Sequence, residues 1–165
     1  MITRQYFMSS VQLKVMTRTA YSYKDDAGVP EFEDDGPIVI FDGECVMCSG
    51  WAMFVLNRDR AGRFRFLAAQ SPLGQALYRH FGLNPTEFDT NILLHEGMPY
   101  LKSDAAVKTL ALMGVPWSMG TILRAVPRPV RNFIYDMIAR NRMRVAGRRE
   151  TCYVPTPDQA SRFLR

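Results

Sequence analysis

The feature that most constrains this chain is a short apolar run that leads directly into two closely spaced cysteines. Residues Ile38–Phe41 are mainly β-branched and show no polar alternation, a pattern typical of a strand buried on both faces. A turn at 42–44 follows, and Cys45–Arg60 is then apolar on nearly every side until Gly62. The sequence therefore predicts a central parallel strand, a tight turn and a buried helix capped by that glycine.

A second strand and a second helix are predicted next. Strict alternation in Arg63–Leu67 places two phenylalanines on one side and two arginines on the other, which indicates a half-exposed strand. Ser71 and Pro72 then offer an N-cap and a first-turn proline. We therefore expect a helix that runs to about Gly82.

The following part of the chain predicts a hairpin and a third helix. Residues 90–95 and 99–102 flank the short turn at 96–98, which contains a glycine, as in two antiparallel strands joined by a tight turn. Ser103 predicts the cap of a helix over Asp104–Met113. The predicted order is β-α-β-α-β-β-α, an α/β sandwich.

Two more helical stretches are predicted after residue 116, namely Ser118–Val126 and Pro129–Ala146. The prolines between them exclude one continuous helix. In the second stretch apolar residues recur at helical spacing; they are Val130, Phe133, Ile134, Met137 and Ile138. We expect this apolar stripe to pack onto the sheet.

Three regions are expected along the chain. Residues 1–35 show no sustained apolar period and are predicted to be a flexible, disordered leader. Residues 36–115 hold all the predicted strands, and residues 116–165 are expected to be a helical extension packed on the same domain. The acid-free start leaves a mitochondrial presequence open, and both Met1 and Met16 remain candidates for the true start.

Composition restricts the class of protein. The longest apolar run is Trp51–Leu56, far shorter than the about 20 residues of a membrane span, so no span is expected. Three cysteines in 165 residues are too few for a disulfide-stapled secreted scaffold, which predicts a soluble cytoplasmic protein. Residues 121–165 hold 10 arginines and three acids. This bias favours a solvated basic face, and nucleic acid is not an expected partner.

The pair Cys45 and Cys48 carries the predicted chemistry. The first sulfur is expected at the N-terminus of a helix and the second one turn inside it, a spacing that allows a reversible disulfide. Free amides and the helix dipole stabilise a thiolate at the first position. We therefore predict Cys45 as the nucleophile and Cys48, expected to be the more buried thiol, as the resolving cysteine.

Two acids beside the motif bear on this chemistry. Asp42 ends the predicted strand, where it is a candidate proton acceptor for the resolving thiol; a local Asx turn is the alternative. Glu44 opposes a Cys45 thiolate by about 1 kcal/mol, comparable to the stabilisation from a helix terminus. We therefore expect a reductant rather than a strong oxidant.

These residues resemble a known family. Phe41–Cys48 is similar to the D-G-x-C-x-x-C signature of the DCC family of thiol-disulfide oxidoreductases. Lys102–Ala105 is similar to the S-D-A segment of that family, and Tyr135-Asp136 and Asn141-Arg142 are similar to its C-terminal helix. The resemblance covers about residues 36–155.

The resemblance implies a thioredoxin-like fold over 36–115 and a disulfide oxidoreductase activity. It implies that Cys45 and Cys48 are the redox pair and that Asp42 is the remaining signature acid. Supporting residues are Gly43, Glu44, Ser103 and Asp104, although the last two favour a helix cap over a catalytic role. The expected partners are a protein or small-molecule disulfide and a thiol reductant, with no cofactor and no metal.

Two other functions stay open. Cys45, Cys48 and Cys152 with a histidine, His80 or His95, offer the ligands of a structural zinc site. The basic C-terminal helix instead suits a redox-silent protein that binds an anionic surface. Cys152 itself is most simply a small buried hydrophobe, or a third thiol that accepts the disulfide.

Overall fold

A computed structural model describes residues 19–148 and 153–164. Four strands and four α-helices alternate in the predicted order: β1 (Ile38–Phe41), α1 (Val46–Arg58), β2 (Arg65–Ala68), α2 (Pro72–His80), β3 (Ile92–His95), β4 (Met98–Leu101), α3 (Lys102–Met113) and α4 (Arg128–Val145). Short 3-10 segments lie at Ser22–Asp25, Trp117–Ala125 and Ala160–Arg162.

The strands form one mixed sheet in the order β2-β1-β3-β4. Strand β1 is central, as predicted, but it is parallel only to β2, where Ile38 pairs with Arg65. On its other side it is antiparallel to β3. The element order and the mixed sheet are consistent with the predicted thioredoxin-like α/β fold.

Both faces of β1 are buried, as its sequence predicts. Because strand side chains alternate between faces, Ile38 and Ile40 join a core cluster with the side chains of α2. Val39 and Phe41 point the other way, into a cluster that includes residues of α1 and α3. The strand therefore fixes the position of the following turn between two packed layers.

Strand β2 departs from the prediction in bounds and exposure. It covers Arg65–Ala68 instead of Arg63–Leu67, and both Phe66 and Leu67 are fully buried. The two phenylalanines, Phe64 and Phe66, are buried as predicted, but the other face of the strand is buried too at Leu67, so the expectation of a half-exposed strand is wrong for that face. The C-terminal segment runs along this outer strand, and the Leu164 amide donates to the Phe66 carbonyl at 2.8 Å.

Helix α1 ends earlier than predicted. Its last residue is Arg58 and Asp59 is the C-cap, so Gly62 belongs to the following turn. The Asp59 carboxylate accepts from the Phe64 amide at 2.8 Å and pairs with Arg162. These contacts turn the chain toward β2 before the helix reaches the glycine.

Of the two predicted serine N-caps, one is confirmed and one is wrong. Ser71 caps α2 as predicted, since its side chain accepts from the Gly74 amide at 3.1 Å. Ser103 does not cap α3, because that helix already begins at Lys102 and no side chain caps it. The hairpin is confirmed, with Glu96 and Gly97 both in the left-handed region at φ 51° and 74°, as in a two-residue type I′ turn.

The expectation of little packed structure before residue 36 is wrong for residues 19–35. Tyr23 is only 2% exposed and belongs to the core, with Val29 and Phe32 packed beside it. The Tyr21 amide donates to the Gly97 carbonyl at 3.0 Å. The sequence hid this packing because its apolar residues follow no helical or strand period. Residues 1–18, including Met16, lie outside the described residues.

The apolar stripe of α4 does not pack onto the sheet, which corrects that prediction. Val130, Phe133, Ile134, Met137 and Ile138 are between 45% and 64% exposed. The opposite, polar face of the helix faces the protein instead, and Arg142 on that face is buried. Within the described ranges no helix has the length and apolar character needed to cross a membrane.

We predict that Tyr23→Ala lowers the free energy of unfolding by roughly 3–5 kcal/mol, the usual loss for a large buried aromatic side chain. Urea titration measures this loss. The matched control is Tyr21→Ala, because Tyr21 is 41% exposed and its removal should cost clearly less. Equal and small losses for the two variants would show that the segment before β1 adds nothing to the core.

Candidate redox site

The two cysteines lie at the start of α1, as the sequence predicts. Cys45 is the N-cap residue and Cys48 lies in the first turn. The Cys48 amide donates to the Cys45 sulfur at 3.3 Å, and both cysteines are free thiols. A helix N-terminus that hydrogen-bonds the Cys45 sulfur stabilises negative charge on it.

Both thiols are buried, so the expectation that Cys48 is the more buried one is wrong. Cys45 is 0% exposed and Cys48 is 5% exposed. The backbone at Arg148 forms an antiparallel bridge with Cys45, and the Tyr153 amide donates to the Gly43 carbonyl at 3.0 Å. Residues far along the chain thus cover the first turn of α1.

Asp42 and Gly43 are held by Gln70. The Asp42 Oδ1 atom accepts from the Glu44 amide at 3.0 Å and from Gln70 Nε2 at 2.6 Å, while the Gly43 amide donates to Gln70 Oε1 at 3.1 Å. The Asx turn is therefore present. Gln70 was not singled out from the sequence, although it closely follows β2, whose end adjoins that of the parallel strand β1.

Arg142 is the main site residue that sequence reasoning missed. Its side chain is buried, and Nη1 donates to the Cys48 sulfur at 3.4 Å. Nη2 donates to the Phe88 carbonyl at 2.8 Å and lies 3.7 Å from Asp42 Oδ2. The sole signal was its place in the segment that resembles the DCC family. The guanidinium connects Cys48 with Asp42.

Burial and charge together set the protonation states of Cys48 and Arg142. Burial raises the pKa of the Cys48 thiol well above its ordinary value, the hydrogen bond with Cys45 raises it further, and the charge of Arg142 opposes both. Burial alone lowers the pKa of Arg142, but Cys48, Cys45 and Asp42 outweigh it and raise that pKa. At neutral pH the site therefore holds a charged guanidinium against a neutral Cys48 thiol.

Glu44 does not act on Cys45 as an isolated charge. It forms an ion pair with Arg148, the residue whose backbone covers Cys45. Since the opposing charge is compensated by this pair, the predicted repulsion between Glu44 and a Cys45 thiolate is weaker than the sequence alone suggested. The sequence placed no cation beside Glu44, because the two residues are 104 positions apart.

Ser103 and Asp104 dock α4 onto α3. The polar contacts between the two helices are Ser103 Oγ to Asn132 Oδ1 at 2.5 Å, Lys102 Nζ to Asp136 Oδ2 at 2.7 Å, and Asp104 with Arg128 and Arg131. Tyr135 adds a contact with the Thr90 hydroxyl at 3.3 Å. The residues that resemble the family segments thus hold the helix that carries Arg142.

The proposed zinc ligands are not gathered at the motif. His80 is engaged by Asp26 at 2.6 Å and by Ser22 at 2.9 Å, and His95 lies in the hairpin beside Glu96. Across residues 19–148 and 153–164, no three His, Cys, Asp or Glu side chains are placed to hold a metal ion. Cys152 lies outside the described residues.

Comparison with known proteins shows which family this chain resembles. The family model for DCC1-like thiol-disulfide oxidoreductase matches residues 39–148, which include both cysteines and Arg142. The chain is 37% identical over 127 residues to "Uncharacterized protein YuxK" of Bacillus subtilis (strain 168), covering 77% of this chain and 93% of that protein. No solved structure gave a significant match.

A plant protein is also similar. "DCC family protein At1g52590, chloroplastic" of Arabidopsis thaliana is 35% identical over 121 residues, which cover 73% of this chain and 70% of that protein. The family model spans well over half of the chain and contains the whole motif at the start of α1. The chain therefore belongs to the DCC1-like thiol-disulfide oxidoreductase family.

Proposed function

We propose that this protein is a thiol-disulfide oxidoreductase of the reductase type that acts through Cys45 and Cys48. The observation that carries the proposal is the hydrogen bond from the Cys48 amide to the Cys45 sulfur at the start of α1. This geometry activates the first thiol and keeps the second within one helical turn of it. The family membership supports the same reaction class.

The reaction takes place in two exchange steps. The Cys45 thiolate attacks one sulfur of the substrate disulfide, forms a mixed disulfide and releases the other sulfur as a thiolate. The Cys48 thiolate then attacks the Cys45 sulfur, forms the Cys45–Cys48 disulfide and releases the second substrate thiolate. The substrate gains two electrons, the protein loses two, and an external dithiol must reduce the protein again.

Arg142 serves the second step. The burial that raises the pKa of Cys48 disfavours the thiolate needed for attack. The guanidinium donates to the Cys48 sulfur and stabilises the charge that develops there. The Asp42 carboxylate lies 3.7 Å from the guanidinium and compensates its positive charge. The proposal also keeps Asp42 as the proton acceptor for the Cys48 thiol.

The partners follow from the chemistry. The substrate is a disulfide in a protein or small molecule, and the donor is a thiol reductant, with no cofactor required. The proposal also includes the cytoplasmic location predicted from the sequence, because a reducing compartment supplies the thiol that reduces the protein again. Because Cys45 is 0% exposed, attack requires a local opening that exposes its sulfur to the substrate.

We predict that the chain reduces insulin disulfides in the presence of dithiothreitol. Cys45→Ser should abolish the reaction because the nucleophile is lost, and Cys48→Ser should accumulate a mixed disulfide that mass spectrometry detects. Cys152→Ser is the matched control and should retain activity. Equal activity in the double variant Cys45→Ser/Cys48→Ser would exclude the proposed chemistry.

The resolution step should keep accelerating with pH beyond the ordinary thiol range. Because the pKa of Cys48 is raised, its thiolate fraction, and hence the rate, should still rise above about pH 8.5, the usual thiol value. Stopped-flow measurement of mixed-disulfide decay gives this profile. Arg142→Met should slow the step at least about tenfold at neutral pH, since a charged hydrogen bond is lost.

Arg142→Lys should recover part of the rate, because the positive charge remains although the planar fork does not. Arg144→Met, at an exposed position on the same helix, is the control and should match the wild-type profile. A rate that levels off below about pH 8, or an Arg142→Met variant as fast as wild type, would contradict the role given to Arg142.

A further inference from the structure

The outer face of α4 is apolar where a helix packed on a domain is normally polar. Its stripe of five residues is 45–64% exposed, with Phe133 the most exposed. The 3-10 segment just before the helix adds Met119 at 73% and Ile122 at 77% exposure. Exposed apolar side chains in this number, on one helix and its neighbour, indicate a surface that binds something.

The protein-facing side of α4 is occupied by polar contacts. Tyr135 contacts the Thr90 hydroxyl, Asn132 accepts from Ser103, and Arg142 reaches Cys48. The helix therefore cannot rotate its stripe inward without breaking the contacts that hold the redox site. The apolar face is consequently directed outward by the same interactions that fix the site.

The charge that stays available around the stripe is positive. Residues 115–148 contain seven arginines and a single acid, Asp136, which pairs with Lys102. Four of these arginines are already engaged, Arg128 and Arg131 by Asp104, Arg148 by Glu44 and Arg142 in the redox site. Arg124, Arg140 and Arg144 are exposed. A ligand of this surface must therefore combine apolar groups with negative charge.

We propose that the stripe of α4, with the 3-10 segment before it, docks this protein on the surface of a membrane that contains anionic lipids. An amphipathic helix with an apolar face and flanking arginines lies in the plane of the interface, with its apolar side chains among the acyl chains. The arginine side chains reach the headgroup phosphates. The 18 residues of α4 span about 27 Å along that plane.

Two other occupants suit the surface less well. Face-to-face packing of two copies would bring the exposed arginines of both chains together, and like charges repel. Nucleic acid would pair with the arginines but would leave the apolar stripe in water, because its backbone offers only charged groups to a flat surface. Anionic lipid satisfies both features at once.

The proposal is tested with the full chain and vesicles in a flotation assay at low salt. The chain should float with vesicles of phosphatidylcholine and phosphatidylglycerol in equal parts, and much more weakly with phosphatidylcholine alone. Phe133→Ser/Ile134→Ser should weaken binding at least about tenfold, because apolar area is lost. Arg140→Gln/Arg144→Gln should weaken binding on the order of thirty-fold, at about one factor of five per arginine.

Val154→Ser is the matched control, since Val154 is an apolar residue 77% exposed outside the stripe, and it should bind as wild type does. All variants change exposed residues and should keep the wild-type unfolding midpoint. They should also reduce insulin in solution as the wild type does. The insulin assay thus tests the redox function, and the flotation assay tests membrane binding independently of it.

Three results would overturn the proposal. The first is absence of binding to the mixed vesicles, or equal binding by Phe133→Ser/Ile134→Ser. The second is a dimer in sedimentation velocity that this double variant dissolves, without vesicle binding, which would assign the stripe to a second copy. The third is binding to a DNA duplex that vesicles do not compete away.

Discussion

The structure of the site depends on one buried contact, that of the Arg142 guanidinium with the Cys48 sulfur, the Phe88 carbonyl and Asp42. It connects the last turns of α4 to the end of β1 and the start of α1. A buried charge is tolerated only where its donors and its charge are compensated. Here a carbonyl and a sulfur accept hydrogen bonds from the guanidinium, and the Asp42 carboxylate supplies the opposite charge. The contacts that hold the end of α4 in place are therefore also contacts of the candidate redox site.

Burial changes the reactivity of the two cysteines from that expected of the Cys-x-x-Cys motif alone. An exposed Cys-x-x-Cys at a helix terminus has a stabilised thiolate and reacts readily. Here the C-terminal segment covers Cys45, and burial keeps Cys48 protonated. Since only a stabilised reduced form makes a disulfide strongly oxidising, this environment favours the proposed reductase role. Glu44 contributes little to it, because its charge is paired with Arg148.

Local patterns predicted the fold well, and long-range pairing accounts for what they missed. The apolar run of β1, the Ser71 cap and the glycine of the hairpin turn each indicate their own structure, because a few neighbouring residues determine it. Tyr23 and Arg142 gave no such signal, since each is buried by residues distant in sequence. The stripe of α4 misled for a related reason: periodicity identifies an apolar face but not the direction in which the helix presents it.

The reduction potential of the Cys45–Cys48 pair tests the central claim most directly. Equilibration with glutathione buffers should show a single two-electron transition near about −270 mV, the value of a thioredoxin-type reductant. In Arg142→Met the potential should become more negative by on the order of 20 mV, because the reduced form loses the hydrogen bond to the Cys48 sulfur. The account would be contradicted by a pair that forms no disulfide, by a potential above about −180 mV, or by an Arg142→Met potential equal to that of the wild type.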